Sequence, residues 1–126
     1  GWDTSNVMDM YRAFYGASSF NSDLSSWVTS SVTSMESMFQ GATKFNTDVS
    51  MWDISSVTNQ NDMFQGAAAF NQDLCAWGAN YIYNQTYSGF EYNVNDNIFF
   101  DSGCTYTDTP QEVNNATGIY GPFCAS

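Results

Sequence analysis

Three aspartates at one spacing are the residues of this chain whose types could do chemistry together. Asp23, Asp48 and Asp73 follow one another at intervals of 25 residues. If the chain stacks on itself at that period, neighbouring carboxylates lie about 4.8 Å apart, the distance between paired strands, and such oxygen ligands suit Ca²⁺. The competing interpretation is that each aspartate accepts backbone N–H groups of its own turn. The turn is preferred, because the spacing matches no dedicated Ca²⁺ loop.

Catalytic chemistry is limited by the absence of histidine from the 126-residue chain. Without histidine, Ser-His-Asp and Cys-His catalysis and most zinc sites are excluded. The three glutamates, Glu36, Glu91 and Glu112, stand at unrelated positions, and no two carboxylates are singled out for glycoside hydrolysis. The sequence therefore predicts a protein that is not an enzyme, with no cofactor other than the candidate Ca²⁺.

The three cysteines, Cys75, Cys104 and Cys124, all lie in the later part of the chain. Their clustering predicts a disulfide that staples the C-terminal end of the fold in an oxidising compartment. Three cysteines permit one internal bridge, and the sequence leaves both Cys75–Cys124 and Cys104–Cys124 open. The third thiol then suggests a partner beyond Ser126 or an intermolecular bond.

Charge and glycosylation motifs limit the partners and the location. The net charge is -11, with only two basic residues, so the chain repels phosphate backbones and nucleic acid is not an expected partner. The expected partners are therefore neutral glycans, surface proteins and cations. Asn84 and Asn115 each begin an N-glycosylation sequon, which together with the cysteines predicts a secreted or cell-surface glycoprotein. No run approaches the roughly 18 apolar residues of a transmembrane segment.

A 25-residue period runs through the first 77 residues and must position these groups. Each column of the repeat holds one type of large apolar side chain. The columns are Trp2, Trp27, Trp52 and Trp77; Val7, Val32 and Val57; Phe14, Phe39 and Phe64; Phe20, Phe45 and Phe70. A single unit of this size cannot bury such side chains alone, whereas stacked units bury them as continuous columns. These columns are the predicted repeat core.

The local sequence predicts the form of one coil. Residues 20–24 and 31–35 are β-prone and are predicted to be short parallel strands, each stacked on its equivalent in the next coil. Residues 36–42 are predicted to form a short helix that ends at Gly41 in the left-handed conformation. The predicted fold class is therefore a repeat solenoid of 25-residue coils, right-handed, with an irregular C-terminal cap.

The predicted division of the chain follows from where the columns lapse. Residues 1–77 hold three repeats, 1–25, 26–50 and 51–75, and the start of a fourth. Residues 78–126 are predicted to form an irregular fourth coil, with an insertion at 83–93, and a disulfide-stapled cap. The segment equivalent to Met38-Phe39 and Met63-Phe64 has its next match at residues 94–100, an expected delay of 12 residues.

The repeat motif carries a resemblance to a known family. The pattern Trp-Asp-Thr-Ser-Asn-Val, followed by Met-Phe-x-Gly-Ala-x-x-Phe-Asn-x-Asp-Leu, resembles the BspA-type, DUF285 surface-protein repeat over residues 1–77. The segments 93–104 and 121–124 are similar to C-terminal caps on such repeats. The resemblance implies a leucine-rich-repeat-like fold on a bacterial or microbial-eukaryote surface. It also implies adhesion, matrix or interaction roles.

Two functions are predicted from these observations. The first is a non-enzymatic extracellular or cell-surface structural protein, a glycosylated subunit that stacks through its coil ends into a filament or matrix. The alternative is an adhesive binding module that recognises a glycan or a protein partner. The chain starts with a coil already under way at Gly1-Trp2. A longer parent chain is the preferred explanation, and docking of that open coil on another copy is the alternative.

Overall fold

The computed structural model describes residues 3–83, 85–87, 90–92, 97–114 and 119–125. In these residues the regular elements are one 3₁₀ helix, Cys75–Trp77, and four strands. The strands are β1 (Gln85–Tyr87), β2 (Phe90–Tyr92), β3 (Gln111–Asn114) and β4 (Ile119–Gly121). Strand β1 pairs with β2, and β3 pairs with β4, both antiparallel. All of these elements lie after residue 74, so the three repeats are built without them.

The predicted fold class, a leucine-rich-repeat-like solenoid of short parallel strands plus a short helix, is wrong. Residues 3–74 contain neither a strand nor a helix. The predicted strands over 20–24 and 31–35 are turns, extended residues and a single bridge, and the predicted helix over 36–42 is a series of turns. Among the described residues, the repeats pair in parallel only through single bridges at one position. These bridges join Asp9 to Ser34 and Ser34 to Asn59.

The direction of alternate backbone N–H groups explains this result. The N–H of Met38 closes a turn on the carbonyl of Met35, three residues back, at 3.2 Å. The next N–H, that of Phe39, leaves the repeat and donates to the carbonyl of Met63 in the neighbouring repeat at 2.8 Å. An α-helix keeps its N–H groups within itself, whereas here every second one binds the next repeat. The segment is therefore neither helix nor strand.

Left-handed residues reinforce the turns. In the second repeat Ser37 has φ 55° and Gly41 has φ 73°, and this conformation interrupts a right-handed helix. The same pair recurs in each level of the stack. The pairs are Arg12 and Gly16, Ser37 and Gly41, Asp62 and Gly66, and finally Asn97 and Asp101. The chain thus forms a fourth level at residues 97–101.

The hydrogen bonds give the size of the insertion before that fourth level. The N–H of Phe64 donates to the carbonyl of Ile98 at 2.9 Å, as the N–H of Phe39 does to Met63 one level earlier. Ile98 stands 35 residues after Met63, which is ten more than the period of the repeat. The extra segment is therefore ten residues long in this register, instead of the expected 12.

Two phenylalanine columns form the centre of the core. Ring centroids in the first column are 5.5 Å apart from Phe14 to Phe39 and from Phe39 to Phe64, and 5.8 Å from Phe64 to Phe99. The second column lies beside the first, with the Phe39 and Phe45 centroids 4.0 Å apart. Because the rings are nearly parallel within and between columns, each level buries the apolar faces of the level before it.

The C-terminal segment 121–125 closes the far end of the stack. The carbonyl of Phe123 accepts the N–H of Leu74 at 3.3 Å, and the carbonyl of Cys124 accepts the N–H of Tyr106 at 2.9 Å. The segment thus bridges the third repeat and the turn after the fourth level. Phe123 is buried, and Cys124 forms a disulfide with Cys104. Covalent and backbone bonds together hold this end.

We expect Gly103→Ala to destabilise the protein by about 1–3 kcal/mol, the usual range for overpacking. A Cβ at this position would stand 2.2 Å from the carbonyl oxygen of Ala68 and 3.1 Å from that of Phe70. Both neighbours are backbone atoms, so the contact cannot be relieved by turning a side chain. Urea denaturation measures the loss. Thr107→Ala, on the same exposed segment, is the control, and an equal effect of both changes would contradict the steric explanation.

Candidate functional site

The aspartate column fixes the turns to which its own residues belong. The three carboxylates are exposed, and each accepts the backbone N–H of the residue two positions on, at 2.8 Å for Asp23 and 2.9 Å for Asp48 and Asp73. This is the Asx-turn arrangement, in which an aspartate shapes the backbone that follows it. Among the described residues, no group of three His, Cys, Asp or Glu side chains is placed to hold a metal ion.

The sequence reasoning missed further turns of the same kind. Asp3 and Asp53 accept the N–H groups of Ser5 and Ser55, and Asp9 accepts that of Tyr11. The pKa of Asp53 is lowered from 3.8, first by the hydroxyl of Ser55 and then by its N–H. Serine bonds lower the pKa values of Asp3 and Asp23 in the same way. The repeated Asp-x-Ser motif was the signal that could have identified the turns at Asp3 and Asp53.

An asparagine column binds successive levels to one another. The side-chain oxygen of Asn21 accepts the N–H of Asn46 at 2.8 Å, and that of Asn46 accepts the N–H of Asn71 at 2.9 Å. The side-chain oxygen of Asn71 continues the series to the N–H of Thr105 at 3.1 Å. Because these oxygens are occupied by backbone donors, the column contributes to stacking rather than offering a row of free acceptors.

The predicted core residues differ in burial according to their repeat. From Val32 onwards all of them are buried, including Trp77 at the start of the fourth repeat. The buried members are Val32, Val57, Phe39, Phe64, Phe45, Phe70, Trp52 and Trp77. The described members of the first repeat, together with Trp27 at the start of the second, are only partly buried, namely Val7, Phe14, Phe20 and Trp27. Trp2 and the sequon residues Asn84 and Asn115 lie outside the described residues.

The cysteines are placed as one pair and one free thiol. The disulfide joins Cys104 and Cys124, whose Cα atoms are 4.7 Å apart, and so selects one of the two pairings that the sequence left open. Cys75 is exposed and unpaired. The structure therefore places the bridge between the fourth level and the C-terminal segment, and the cysteine of the third repeat takes no part.

A shallow groove on the surface crosses the levels of the stack, with a cavity volume of about 320 Å³. Its floor is the glycine column of Gly16, Gly41 and Gly66, in which successive glycines stack so that a Cβ on Gly41 would be in contact with the Cα of Gly16 at 3.7 Å. Polar side chains border the floor. They are Tyr15, Gln40, Gln65 and Asp101. We call this surface the glycine groove.

An arginine lies beside one end of the glycine groove. The guanidinium carbon of Arg12 is 4.7 Å from the ring centroid of Tyr15 and 5.2 Å from that of Tyr11. Both rings are about half exposed, at 47% for Tyr11 and 49% for Tyr15. The guanidinium is attracted to the faces of both rings, and both rings remain accessible to solvent at this end of the groove. Nothing in the sequence reasoning had grouped these three residues.

Comparisons with known proteins give one match. No helix in the described part of the chain has the length and apolar character needed to cross a membrane. No curated protein and no solved structure matches the chain. Residues 1–98 match DUF285, a family described as Mycoplasma protein of unknown function. The match includes Ile98 of the fourth level. The resemblance of the repeat motif to DUF285 is thereby confirmed, and the chain belongs to the DUF285 family.

Proposed function

We propose that this chain is a non-enzymatic module of a secreted or cell-surface protein, with a structural role. The absence of histidine and the use of exposed aspartates such as Asp23 to fix turns support a role without catalysis. The disulfide between Cys104 and Cys124 supports an oxidising compartment. The sequons at Asn84 and Asn115 fit the same location as acceptors of N-linked glycans.

The single observation that carries the structural role is the incomplete burial of the first repeat. Phe14 and Phe20 are partly exposed, whereas Phe39 and Phe45, their equivalents one level on, are fully buried. We call the exposed surface formed by Val7, Phe14, Phe20 and Trp27 the first-repeat face. Exposed contiguous apolar surface on a protein commonly marks a site of association. The structural proposal therefore includes self-assembly through this face.

The backbone of the first-repeat face presents acceptors. In the later levels, the carbonyls of Met38 and Gln40 accept N–H groups from the level before. Their equivalents here are the carbonyls of Ala13 and Tyr15, to which no described N–H donates. Two such faces would bring acceptors together, so their contact would depend on burial of the rings and not on backbone bonds.

The two ends of the stack differ, and this limits the form of assembly. At the far end Phe99 is fully buried, so its ring is not free to continue the column into another copy. A filament needs two complementary end surfaces, whereas one open face pairing with itself closes as a two-fold dimer. The described residues therefore support pairing of two copies through the first-repeat face, alongside the filament suggested by the sequence.

Sedimentation velocity over a concentration series tests this assembly. We expect the native protein to shift from monomer to dimer as its concentration rises. Phe20→Asp should remain monomeric, because it places a charge in the buried centre of the contact. Met51 is exposed but is not part of the first-repeat face, so the Met51→Asp variant should dimerise like the native protein. Circular dichroism verifies that each variant is folded. A native protein that stays monomeric at every concentration would contradict the proposed assembly.

A second candidate function is an adhesive binding module for a glycan or a protein partner. The glycine groove is the observation that favours it, because it combines concave surface, a half-exposed Tyr15 and the polar side chains of Gln40, Gln65 and Asp101. Binding sites commonly combine apolar surface with a few placed polar groups. The structural and adhesive roles are compatible, since the first-repeat face and the glycine groove involve different side chains.

A further inference from the structure

We propose that the glycine groove binds an extended, neutral polysaccharide chain, with successive sugar rings lying across successive levels of the stack. The proposal specifies the ligand class for the adhesive function above and rests on that function. It does not require the dimer.

The floor gives a ligand close access along the stack. Gly16, Gly41 and Gly66 have φ of 68°, 73° and 72°, a region that side-chain-bearing residues rarely adopt. Their positions stack directly, since a Cβ on Gly66 would stand 3.7 Å from the nitrogen of Gly41. No side chain interrupts this strip, so a flat ligand can lie along it from the first level to the third.

Four side-chain positions form one column beside the floor. The N–H groups of Gly16, Gly41 and Gly66 donate to the carbonyls of the residues at this position in the next level. Those residues are Gln40, Gln65 and Phe100, and Tyr15 is their equivalent in the first level. The column therefore begins with an aromatic residue, continues with two amides and ends with an aromatic residue. Phe100 is 56% exposed, so a ring is accessible at both ends.

This order of side chains matches the chemistry of a sugar chain. The apolar C–H face of a sugar ring packs on an aromatic ring, and its hydroxyls both donate and accept, as an amide side chain does. A carboxylate such as that of Asp101, also at the groove, accepts hydrogen bonds from two hydroxyls. Equivalent rings in successive levels have centroids 5.5 Å apart, from Phe14 to Phe39, so side chains at equivalent positions recur at a short, regular interval along the groove.

Charge selects a neutral glycan. The chain carries a net charge of -11, which repels sulfated or uronic acid polymers. At the groove itself, the carboxylate of Asp101 lies at the last level and the guanidinium of Arg12 lies against Tyr15 at the first. Between them the lining side chains are the neutral Gln40 and Gln65. No basic row is present there to hold a polyanion.

The backbone of the floor disfavours a peptide strand as the ligand. A peptide that adds to a sheet edge pairs with free backbone groups. The N–H groups of Gly16, Gly41 and Gly66 already donate to the next level, at 2.8, 2.8 and 3.0 Å. A pairing strand would therefore find no free N–H group at these three glycines, whereas a sugar chain can bind through side chains and ring faces.

Affinity electrophoresis tests the proposal with the native protein in gels that contain hydroxyethyl cellulose, galactomannan, dextran sulfate or gelatin. We expect retardation by a neutral polysaccharide and none by dextran sulfate or gelatin. Two variants test the groove: the single variant Tyr15→Ala and the double variant Gln40→Ala/Gln65→Ala. Each should weaken that retardation about tenfold, the loss expected for one stacking or polar contact. Tyr106→Ala removes a ring that is equally exposed, at 47%, outside the groove and should leave retardation unchanged.

Each other result overturns the proposal. The proposal is wrong if neither neutral polysaccharide retards the protein. It is also wrong if only dextran sulfate or only gelatin does. Retardation that survives the changes at Tyr15, Gln40 and Gln65 would place the ligand elsewhere. The test is independent of self-assembly, because Gln40 and Gln65 belong to the second and third repeats and not to the first-repeat face. Sedimentation of the doubly substituted protein shows whether dimer formation is intact.

Discussion

Phe39→Ala should lower the free energy of unfolding by about 3–5 kcal/mol, as deletion of a buried phenylalanine ring generally does. Phe39 is fully buried in the second repeat. Its ring centroid lies 5.5 Å from those of Phe14 and Phe64 and 4.0 Å from that of Phe45. The substitution therefore removes contacts to the levels on both sides and leaves a cavity between them. Urea denaturation followed by tryptophan fluorescence measures the loss.

Phe14→Ala is the matched control for that prediction. Phe14 occupies the same column, but it is only partly buried, because no described level precedes it. Less surface returns to water when its ring is removed, so the loss should be clearly smaller. The comparison is made at a protein concentration where the chain is monomeric. Equal losses at the two positions would mean that the column is not buried in the way described.

Replacement of Cys104 and Cys124 by serine should cost about 3 kcal/mol of stability. The disulfide closes a segment with a sequence separation of 20, and a loop of that size restricts the unfolded chain by about this amount. The bridge also holds segment 121–125, whose carbonyl at Phe123 accepts the N–H of Leu74. We expect the thermal unfolding of the double variant to shift down, and reduction of the native protein with dithiothreitol to have the same effect.

Cys75→Ser separates this pairing from the alternative that the sequence allowed. Cys75 is exposed and unpaired, so its substitution should change stability by less than about 0.5 kcal/mol, as at ordinary surface positions. Peptide mapping without reduction should recover a fragment that links Cys104 to Cys124. Recovery of a Cys75–Cys124 fragment, or a large loss of stability in Cys75→Ser, would contradict the connectivity.

Membership of the DUF285 family could be established from the repeat motif because the motif encodes the stacking itself. Large apolar residues recur at one period, as in Phe39 and Phe64, and a unit that cannot bury them alone must lie against the next. The period thus determined that equivalent residues would lie above one another. Ring distances of 5.5 Å within the column reflect the same physical requirement.

Secondary structure was not predictable from the same residues. Short β-prone and helix-prone stretches such as 31–35 and 36–42 have weak local preferences, and tertiary contacts override them. The decisive bonds join residues 24 apart, for example the N–H of Phe39 and the carbonyl of Met63. These compete with every local bond that a helix or strand would make. The outcome is a chain of turns, which local propensity does not identify.

The candidate sites divide in the same way. The sequence by itself determined the aspartate, asparagine and glycine columns, because each repeats at the period of the chain. The sequence also favoured the turn in which Asp23 binds the N–H two residues on, and the structure has that bond. Only the tertiary structure decided that Cys104 pairs with Cys124 and that the glycines form the floor of a groove. Pairing and concavity depend on distances between segments far apart in the chain. The ten-residue insertion changes those distances, and its length cannot be predicted from the local sequence. The distances are therefore known only from the packed fold.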